Sequence, residues 1–292
     1  MSNSPRSGVL YAAGAFFIWG AVPIYFKALR SVSPFEVISH RVVWSVLFLL
    51  LLLRATTGFT DLRTILREPR LLARLTLTSA LIACNWLVFV WAVNADRVLD
   101  TSLGYYITPL MNVLFGFLFL KERLRPAQQI AVVLVIVGVA NQIWQLGLLP
   151  WVSLVLAVTF GCYGLLRKQT QVDAVNGLLV EILVATPFAV AYLVYSWHNG
   201  TAQFRHQSFF IDTLLVLAGV ITAIPLLMFA AGAKRLRLAT LGFLQYLAPS
   251  MTFLLAVFVY GEPFGHAQAI TFVFIWSGLI VYSLDTWRVS RV

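Results

Sequence analysis

The chain has 292 residues, of which 60% are hydrophobic and 11% are charged, and its mean hydropathy is +0.87. Soluble domains carry about 25% charged residues, so this composition excludes a water-soluble globular protein and indicates an integral membrane protein. The formal net charge of +10 suits a nucleic-acid-binding protein, but the placement of the charges along the chain gives a different explanation.

Apolar segments long enough to cross a bilayer recur along the whole chain, since a spanning helix needs about 20 residues. The strands of an outer-membrane barrel would be about 10 residues long and would alternate in hydrophobicity, which these segments do not. The sequence therefore predicts an all-α integral membrane protein with ten transmembrane helices. Their expected bounds are 8–26, 35–53, 71–93, 102–120, 127–145, 149–166, 174–196, 209–232, 239–259 and 267–286.

Most of the 21 Lys and Arg residues fall on one side of this topology, in clusters such as 63–74, 121–125 and 234–237. The other side holds few basic residues, among them Lys27 and Arg97. An excess of Lys and Arg marks the cytoplasmic side of a membrane protein. The pattern predicts that both termini are cytoplasmic, and it explains the basic charge without a nucleic-acid partner.

The segment from Tyr106 to Gly138 returns 140 positions later in the chain. The matched identities are Tyr106 with Tyr246, Pro109 with Pro249, Glu122 with Glu262, Gln128 with Gln268, Ile130 with Ile270 and Gly138 with Gly278. This spacing predicts two copies of one unit, residues 1–146 and 147–292, each with five helices. Because five is odd, the second copy enters the bilayer from the opposite side, and the repeats are inverted.

Inverted repeats are typical of secondary transporters, in which the substrate site lies near the bilayer midplane between the repeats. We therefore expect a carrier that works by alternating access. The sequence has no P-loop motif and no metal-ligand spacing, so we expect no nucleotide cofactor and no metal. A membrane-embedded enzyme and a non-transporting sensor or assembly subunit are the alternatives. An enzyme would need clustered acids or nucleophiles at one depth, and the sequence offers none.

Two charged residues inside predicted spans, Arg41 and Glu181, also lie 140 positions apart. An ionisable residue within a span costs about 3 kcal/mol on insertion scales and marks a functional site by default. Each lies about 10 Å into its helix at 1.5 Å per residue, but the two helices enter from opposite faces. We expect Arg41 to line the outward half of a central path and Glu181 the inward half, without a direct bridge. A structural ion pair, or an Arg41 side chain that reaches the surface, is the alternative, and proton coupling through Glu181 is a further possibility.

Aromatic and polar side chains in several spans suit a pocket for a moderately apolar molecule. As substrate-binding candidates we add to Arg41 and Glu181 the residues His40, Trp44, Trp19, Asn85, Trp86, Tyr106, Gln245 and Tyr246. Each has an alternative role in an interfacial aromatic belt or in helix–helix hydrogen bonding. The matched prolines Pro109 and Pro249 predict kinks that serve as hinges, with a static bend as the alternative. Glu122 and Glu262 are interpreted as turn or helix-end groups.

The sequence resembles the RarD branch of the drug/metabolite transporter superfamily, which has two EamA-type halves. The likeness covers nearly the whole chain and rests on these motifs: Phe17-Ile-Trp-Gly20, His40-Arg-Val-Val-Trp-Ser45, Ser102-Leu-Gly-Tyr-Tyr-Ile-Thr-Pro109, Tyr163-Gly-Leu-Leu-Arg-Lys168 and Tyr260-Gly-Glu262. The resemblance implies a ten-helix, multi-pass carrier of the bacterial inner membrane with a basket-like central cavity. The family does not settle the transported compound; our own expectation is a small amphiphilic metabolite or drug, with export favoured over uptake. The family's usual label is chloramphenicol sensitivity.

Overall fold

A computed structural model describes residues 5–55, 60–120, 125–146, 149–170, 172, 174–233 and 244–289. These residues form helices and turns, and no strand occurs among them. The helices are α1 (Pro5–Ala28), α2 (Pro34–Ala55), α3 (Thr60–Arg67), α4 (Pro69–Asn94), α5 (Val98–Leu120), α6 (Pro126–Leu146), α7 (Trp151–Lys168), α8 (Ala174–His198), α9 (Phe209–Ala233), α10 (Leu247–Leu254) and α11 (His266–Val289). A π-helical turn, Leu255–Val259, continues α10.

Eight of these helices are long and apolar enough to cross a bilayer, namely α1, α2, α4, α5, α6, α8, α9 and α11. Two further apolar helices are shorter, Trp151–Arg167 and Leu247–Val259. The predicted all-helical membrane protein is thus confirmed to the extent of eight candidate spans. The span predicted at 239–259 begins among residues 234–243, which lie outside the described part of the chain.

The short helix α3 was not predicted from the sequence. Its apolar residues Leu62 and Ile65 are three positions apart and buried, while most of its other residues are polar. Such a helix is amphipathic and lies against its neighbours rather than crossing the bilayer. A search for long apolar segments does not detect this pattern.

Two matched glutamines cap the first turns of α6 and α11. The Gln128 side-chain oxygen accepts a hydrogen bond from the backbone N–H of Arg125 at 3.0 Å, and that of Gln268 accepts one from Gly265 at 3.1 Å. A helix leaves its first N–H groups without internal partners, and a glutamine three residues in can reach back to satisfy one. The repeated glutamine is therefore explained by the same cap at the same place in each half.

The helices of residues 1–146 pack on those of residues 147–292. Most helix pairs in contact between the two sets have an equivalent pair when each helix is replaced by its counterpart in the other set. Counting α1, α2, α4, α5 and α6 as equivalent to α7, α8, α9, α10 and α11, the contact of α5 with α7 is matched by that of α1 with α10. The contact of α4 with α7 is matched by that of α1 with α9, and that of α4 with α8 by that of α2 with α9. Three equivalent pairs also meet each other: α2 with α8, α5 with α10 and α6 with α11.

The pairing of α6 with α11 shows the same exchange at the level of single residues. A Cβ on Gly138 would lie 3.1 Å from the backbone oxygen of Thr271, and a Cβ on Gly278 would lie 2.9 Å from that of Ala131. Both glycine contacts are equivalent, since each residue of one contact is 140 positions from its counterpart in the other. Glycine permits this close approach of helices in membranes.

The turns at one end of the helices are bonded to one another. Ser31 donates a hydrogen bond to Gln207 at 2.8 Å, and Ser153 donates one to the backbone oxygen of Asp100 at 2.8 Å. Lys27, at the end of α1, forms an ion pair with Asp96 in the turn between α4 and α5. The connections 29–33, 95–97 and 199–208 and the first turns of α5 and α7 thus lie at the same end of the helix bundle.

Glu262 joins this end of the bundle through a second kind of contact. Its two carboxylate oxygens accept hydrogen bonds from the backbone N–H groups of Val98 and Leu99, each at 2.7 Å. These are orphan donors of the first turn of α5. Burial raises the pKa of Glu262, and the two amide hydrogen bonds oppose that rise. Its matched residue Glu122 lies outside the described residues.

Candidate functional site

Arg41 lies on α2, where it contacts α9 and α4. Its Nε donates a hydrogen bond to the Thr222 hydroxyl at 2.7 Å, and its guanidinium carbon lies 3.9 Å from the centre of the Trp86 ring. A cation stacked at this distance on an aromatic face is stabilised by the ring quadrupole. Arg41 is only half-buried, and it belongs to none of the ion pairs formed among the described residues.

A row of aromatic rings begins at the Arg41 guanidinium. The Phe26 ring centre is 6.0 Å from it, and Phe89 links the Phe26 ring to that of Tyr105 at centroid distances of 5.9 and 5.8 Å. The Tyr25 hydroxyl donates to the backbone oxygen of Leu214 at 2.6 Å. The surroundings of this cation are therefore apolar rings, with hydroxyl groups whose protons are already engaged.

Asn85 holds Tyr105 in this wall. Its amide oxygen accepts a hydrogen bond from the Tyr105 hydroxyl at 3.1 Å, and its amide nitrogen donates to Leu156 O at 3.0 Å and to Thr159 Oγ1 at 2.9 Å. Asn85 is 1% exposed. With its groups engaged and its side chain enclosed, Asn85 ties α4 to α5 and α7 and acts by positioning Tyr105.

His40 and Trp44 lie on α2 next to Arg41 and contact each other, and His40 faces the loop before α9. The indole of Trp44 donates to His40 Nδ1 at 3.3 Å, and the His40 ring lies 4.7 Å from that of Phe204. Glu36, one turn before His40, accepts hydrogen bonds from the backbone N–H groups of Gln203 at 2.9 Å and Phe204 at 3.0 Å. This group therefore anchors the 199–208 loop to the start of α2.

Glu181 lies in a separate, closed group between α8, α4 and α7. Its carboxylate accepts hydrogen bonds from Thr78 at 2.7 Å and Tyr163 at 3.2 Å, and it lies 3.7 Å from the Nε of Arg167. Glu181 is 1% exposed. The structure thus pairs Arg41 and Glu181 with different residues rather than with each other.

The remaining candidates lie in two further places. Tyr106 stacks on Tyr246 with their ring centres 6.4 Å apart, and the Tyr106 hydroxyl shares a 2.7 Å hydrogen bond with Ser250. Trp19 packs against Phe229 of α9 at 5.7 Å. Gln245 lies in the turn before α10, half-buried. The structure therefore brings Arg41, Trp86 and, through Tyr105, Asn85 together, and leaves the other candidates in separate groups.

The matched prolines have different local settings. α5 continues through Pro109, whereas α10 begins two residues before Pro249. A proline in the first turn of a helix removes no hydrogen bond, because that N–H has no partner inside the helix. The Pro249 backbone oxygen accepts a hydrogen bond from Ser102 at 2.8 Å.

The partners of Arg41 and Glu181 were not predicted from the sequence. Thr222 is an ordinary threonine in an apolar helix, and its bond to Arg41 depends on the packing of α9 against α2, which periodicity alone does not predict. Tyr163 and Arg167, by contrast, are four residues apart on α7 and so share one helix face. That spacing indicates a polar face directed at a neighbour and could have identified a partner for Glu181.

Comparison with known proteins identifies the family. A family model described as "EamA-like transporter family" matches residues 6–141. A Vibrio cholerae protein named "Uncharacterized transporter" is 48% identical over 280 residues, which cover 96% of this chain and 93% of that protein. "Protein RarD" of Escherichia coli is 43% identical over 290 residues, which cover 99% and 98% of the two chains. The chain belongs to the RarD family of EamA-like transporters.

Membership of the RarD family makes the chain a membrane transporter of the drug/metabolite transporter superfamily, with a small-molecule substrate. With its eight apolar helices, this RarD-family chain is a multi-pass protein of the bacterial inner membrane. The family evidence points to a transporter rather than to an enzyme. A protein of known crystal structure shares the fold, with a TM-score of 0.62 at 20% identity over 97% of this chain and 99% of that one.

Proposed function

We propose that this RarD-family chain is a secondary transporter that moves a small amphiphilic metabolite or drug across the inner membrane by alternating access, as an exporter. Ten transmembrane helices form two inverted five-helix repeats, residues 1–146 and 147–292, and both termini lie in the cytoplasm. The site contains Arg41 and the aromatic residues around it.

The observation that carries the proposal is the exchange of contacts between the halves. A two-fold axis requires that every contact between a helix of one half and a helix of the other has a mirror contact. The pairs α5 with α7 and α1 with α10 meet that requirement, as do the contacts of Gly138 and Gly278. Five helices in each half place such an axis in the membrane plane, and that is the architecture of alternating-access carriers.

A two-fold scaffold of this kind provides two states of similar energy. If the halves exchange their conformations, a cavity open to one side becomes a cavity open to the other, and the site between them stays in place. Arg41 lies about 10 Å into α2 at 1.5 Å per residue, where α2 meets α4 and α9. A substrate at Arg41 therefore contacts both halves, since α9 belongs to the second.

Glu181 has a structural part in this proposal. Its carboxylate is held by Thr78, Tyr163 and Arg167, so we assign it to holding α4, α7 and α8 together rather than to proton coupling. Glu181→Gln in proteoliposomes tests the assignment. Retention of any proton dependence of transport supports it, and loss of that dependence at unchanged protein stability would instead make Glu181 the proton carrier.

The topology can be tested by cysteine labelling in intact cells. Cys84 and Cys162 are free cysteines, so both are first replaced by serine. Ser31 and Gln169 are exposed and lie in turns at opposite ends of the helices. A membrane-impermeant maleimide should label Ser31→Cys and not Gln169→Cys; labelling of both, or the reverse result, contradicts the proposed topology.

Transport itself is tested with the purified protein. Ligands that raise its thermal stability are loaded into proteoliposomes, and their efflux is followed against liposomes without protein. We expect saturable efflux that accelerates when unlabelled ligand is present on the opposite side, as alternating access requires. Ligands that bind but never cross would instead favour a sensor, and their chemical conversion an enzyme.

A further inference from the structure

We infer that the Arg41 site binds the carboxylate of a small aromatic or otherwise apolar monoanion. This inference rests on the proposed carrier function and names its substrate class. Its starting point is the environment of the cation: Arg41 stacks on Trp86 and binds Thr222, yet takes part in none of the ion pairs among the described residues. Charged residues within a span are costly and pair with a counter-charge or face a cavity.

The orientation of the guanidinium leaves its end free for a ligand. The Thr222 hydroxyl oxygen accepts a hydrogen bond from Nε, and the Trp86 ring covers one face of the guanidinium. The two terminal nitrogens make no hydrogen bond to a described residue, and the side chain is half-buried. Two parallel N–H groups on these nitrogens match the two oxygens of a carboxylate, which is the strongest form of arginine–anion recognition.

The acids of the surrounding helices are engaged elsewhere. Glu36 on α2 is bound by backbone amides of the 199–208 loop, and Glu181 on α8 by Thr78, Tyr163 and Arg167. Asp212 on α9 accepts a hydrogen bond from the backbone N–H of Arg205, and Asp100 on α5 is paired with Arg97. The site therefore offers one positive charge. A monoanion neutralises that charge, whereas a dianion would carry an uncompensated charge into a low-dielectric region, which is unfavourable.

The rest of the ligand is specified by the wall around the cation. Trp86 and Tyr105 are half-buried and leave ring surface beside the cation, while the buried rings of Phe26 and Phe89 pack behind them. Offset or edge-to-face contacts with such rings favour a flat, apolar body. An aromatic ring one or two bonds from a carboxylate fits this combination, and a neutral ligand of the same shape would leave the guanidinium desolvated without a partner.

Matched pairs of acid and amide test the inference on the full-length protein in nanodiscs. Binding of tritiated phenylacetate is measured directly, and phenylacetamide and phenylphosphonate are the competitors. We expect phenylacetate to bind at least about 10-fold more tightly than the amide, because a hydrogen bond to a charged group contributes about 1.5–3 kcal/mol. At a pH above its second pKa, where phenylphosphonate is a dianion, it should compete less well than the monoanion. Absent phenylacetate binding, or equal competition by the amide, overturns the inference.

Variants then assign the preference to Arg41. Arg41→Gln should remove the preference for acid over amide, and Thr222→Val should weaken it while keeping the charge. Arg97→Gln is the matched control, because Arg97 also lies near tryptophan rings but is paired with Asp100 at 2.7 Å. A preference that survives Arg41→Gln overturns the assignment, and the ratio measured on the parent protein and on Thr222→Val remains informative if Arg41→Gln fails to fold.

Transport measurements separate this inference from the carrier proposal. If phenylacetate binds at Arg41 but never crosses proteoliposome membranes, the site stands and the carrier proposal fails for this ligand class. If other ligands cross while acids bind no better than amides, the carrier proposal stands and the carboxylate inference fails. Arg41-dependent efflux of acids supports both.

Discussion

Arg41 and Glu181 lie 140 positions apart, at matched places of the two proposed repeats, yet their surroundings differ. Glu181 is 1% exposed and is enclosed by Thr78, Tyr163 and Arg167. Arg41 is half-buried and contacts Thr222 and an indole ring. A charge inside a span is therefore not by itself a site. Whether such a charge can bind a ligand depends on its partners in the protein, because a charge that is already paired gains little from a ligand of opposite charge.

The helices beside these two residues differ in a matching way. Ser79 on α4 donates a hydrogen bond to the backbone oxygen of Glu181 at 2.6 Å. Its equivalent on α9, 140 positions later, is Gly219, where a Cβ would lie 2.5 Å from the backbone carbon of Trp44. One half thus fixes its helix crossing with a hydrogen bond, and the other does so by close backbone approach next to Arg41.

The largest loss of stability is expected when Glu181 loses its partner Arg167. Arg167→Gln leaves a buried carboxylate without its cation, and breaking a buried pair in this way costs about 3–5 kcal/mol. We expect a much lower unfolding temperature in detergent for this variant. Arg41→Gln should lower the unfolding temperature far less, since no buried carboxylate loses a partner. The difference between the two variants tests directly whether Glu181 is paired and Arg41 is not.

The double variant Arg167→Gln with Glu181→Gln provides the control. If Glu181 and Arg167 are coupled, removing both should restore part of the stability lost in Arg167→Gln alone, as in a double-mutant cycle. Strictly additive losses would show that the two side chains do not interact, and Glu181 would then need another explanation for its buried charge.

A smaller effect is expected for Gly219→Ala. The added methyl group meets backbone atoms of α2, which cannot rotate away, so α9 must shift; overpacking of this kind costs about 1–3 kcal/mol. Gly164→Ala is the control, since a Cβ there would have its nearest neighbour at 3.8 Å. Thermal unfolding should separate the two variants, and equal stabilities would argue against close contact of α9 with α2 beside Arg41.

Repeats and polar spacing made a large part of this fold predictable. The identities of Gln128 with Gln268 and of Gly138 with Gly278 are explained by equivalent caps and equivalent close contacts. Each of these residues makes a local or symmetric contact, which is the kind of contact that the proposed repeat would preserve. Eight of the predicted spans correspond to helices long and apolar enough to cross the membrane.

The candidate site was less predictable, because its contacts join segments far apart in the chain. The bond between Arg41 and Thr222 links positions 181 residues apart, and nothing in the local pattern of α9 marks that threonine. Tyr106 and Tyr246 illustrate the opposite case: they were grouped with Arg41 as polar aromatics in spans, but they stack on each other. Residue type identifies candidates, whereas helix adjacency sorts them into groups.

Where both halves carry the same residue, equal effects are expected. Gln128→Ala and Gln268→Ala each remove one helix-capping bond, which costs about 1 kcal/mol. Gln→Glu at either position keeps the acceptor oxygens and is the control. Unfolding midpoints should fall by similar amounts for the two alanine variants; a loss for only one of them would mean that the two caps, although alike in geometry, do not stabilise their helices equally.

The smallest expected effect concerns Glu262, an acid outside the spans that contrasts with Glu181. Its pKa is raised from the ordinary value by burial. A carboxyl with a raised native pKa binds its proton more tightly when folded, so its contribution is present at low pH and is lost as the pH rises through that pKa. As the pH rises above the ordinary glutamate pKa of about 4.3, the stability of Glu262→Gln relative to the parent protein should therefore increase. Chemical unfolding across this range measures the difference in slope. An opposite slope would mean that the amide hydrogen bonds of Val98 and Leu99 outweigh burial, and that Glu262 caps α5 as a fully ionised group.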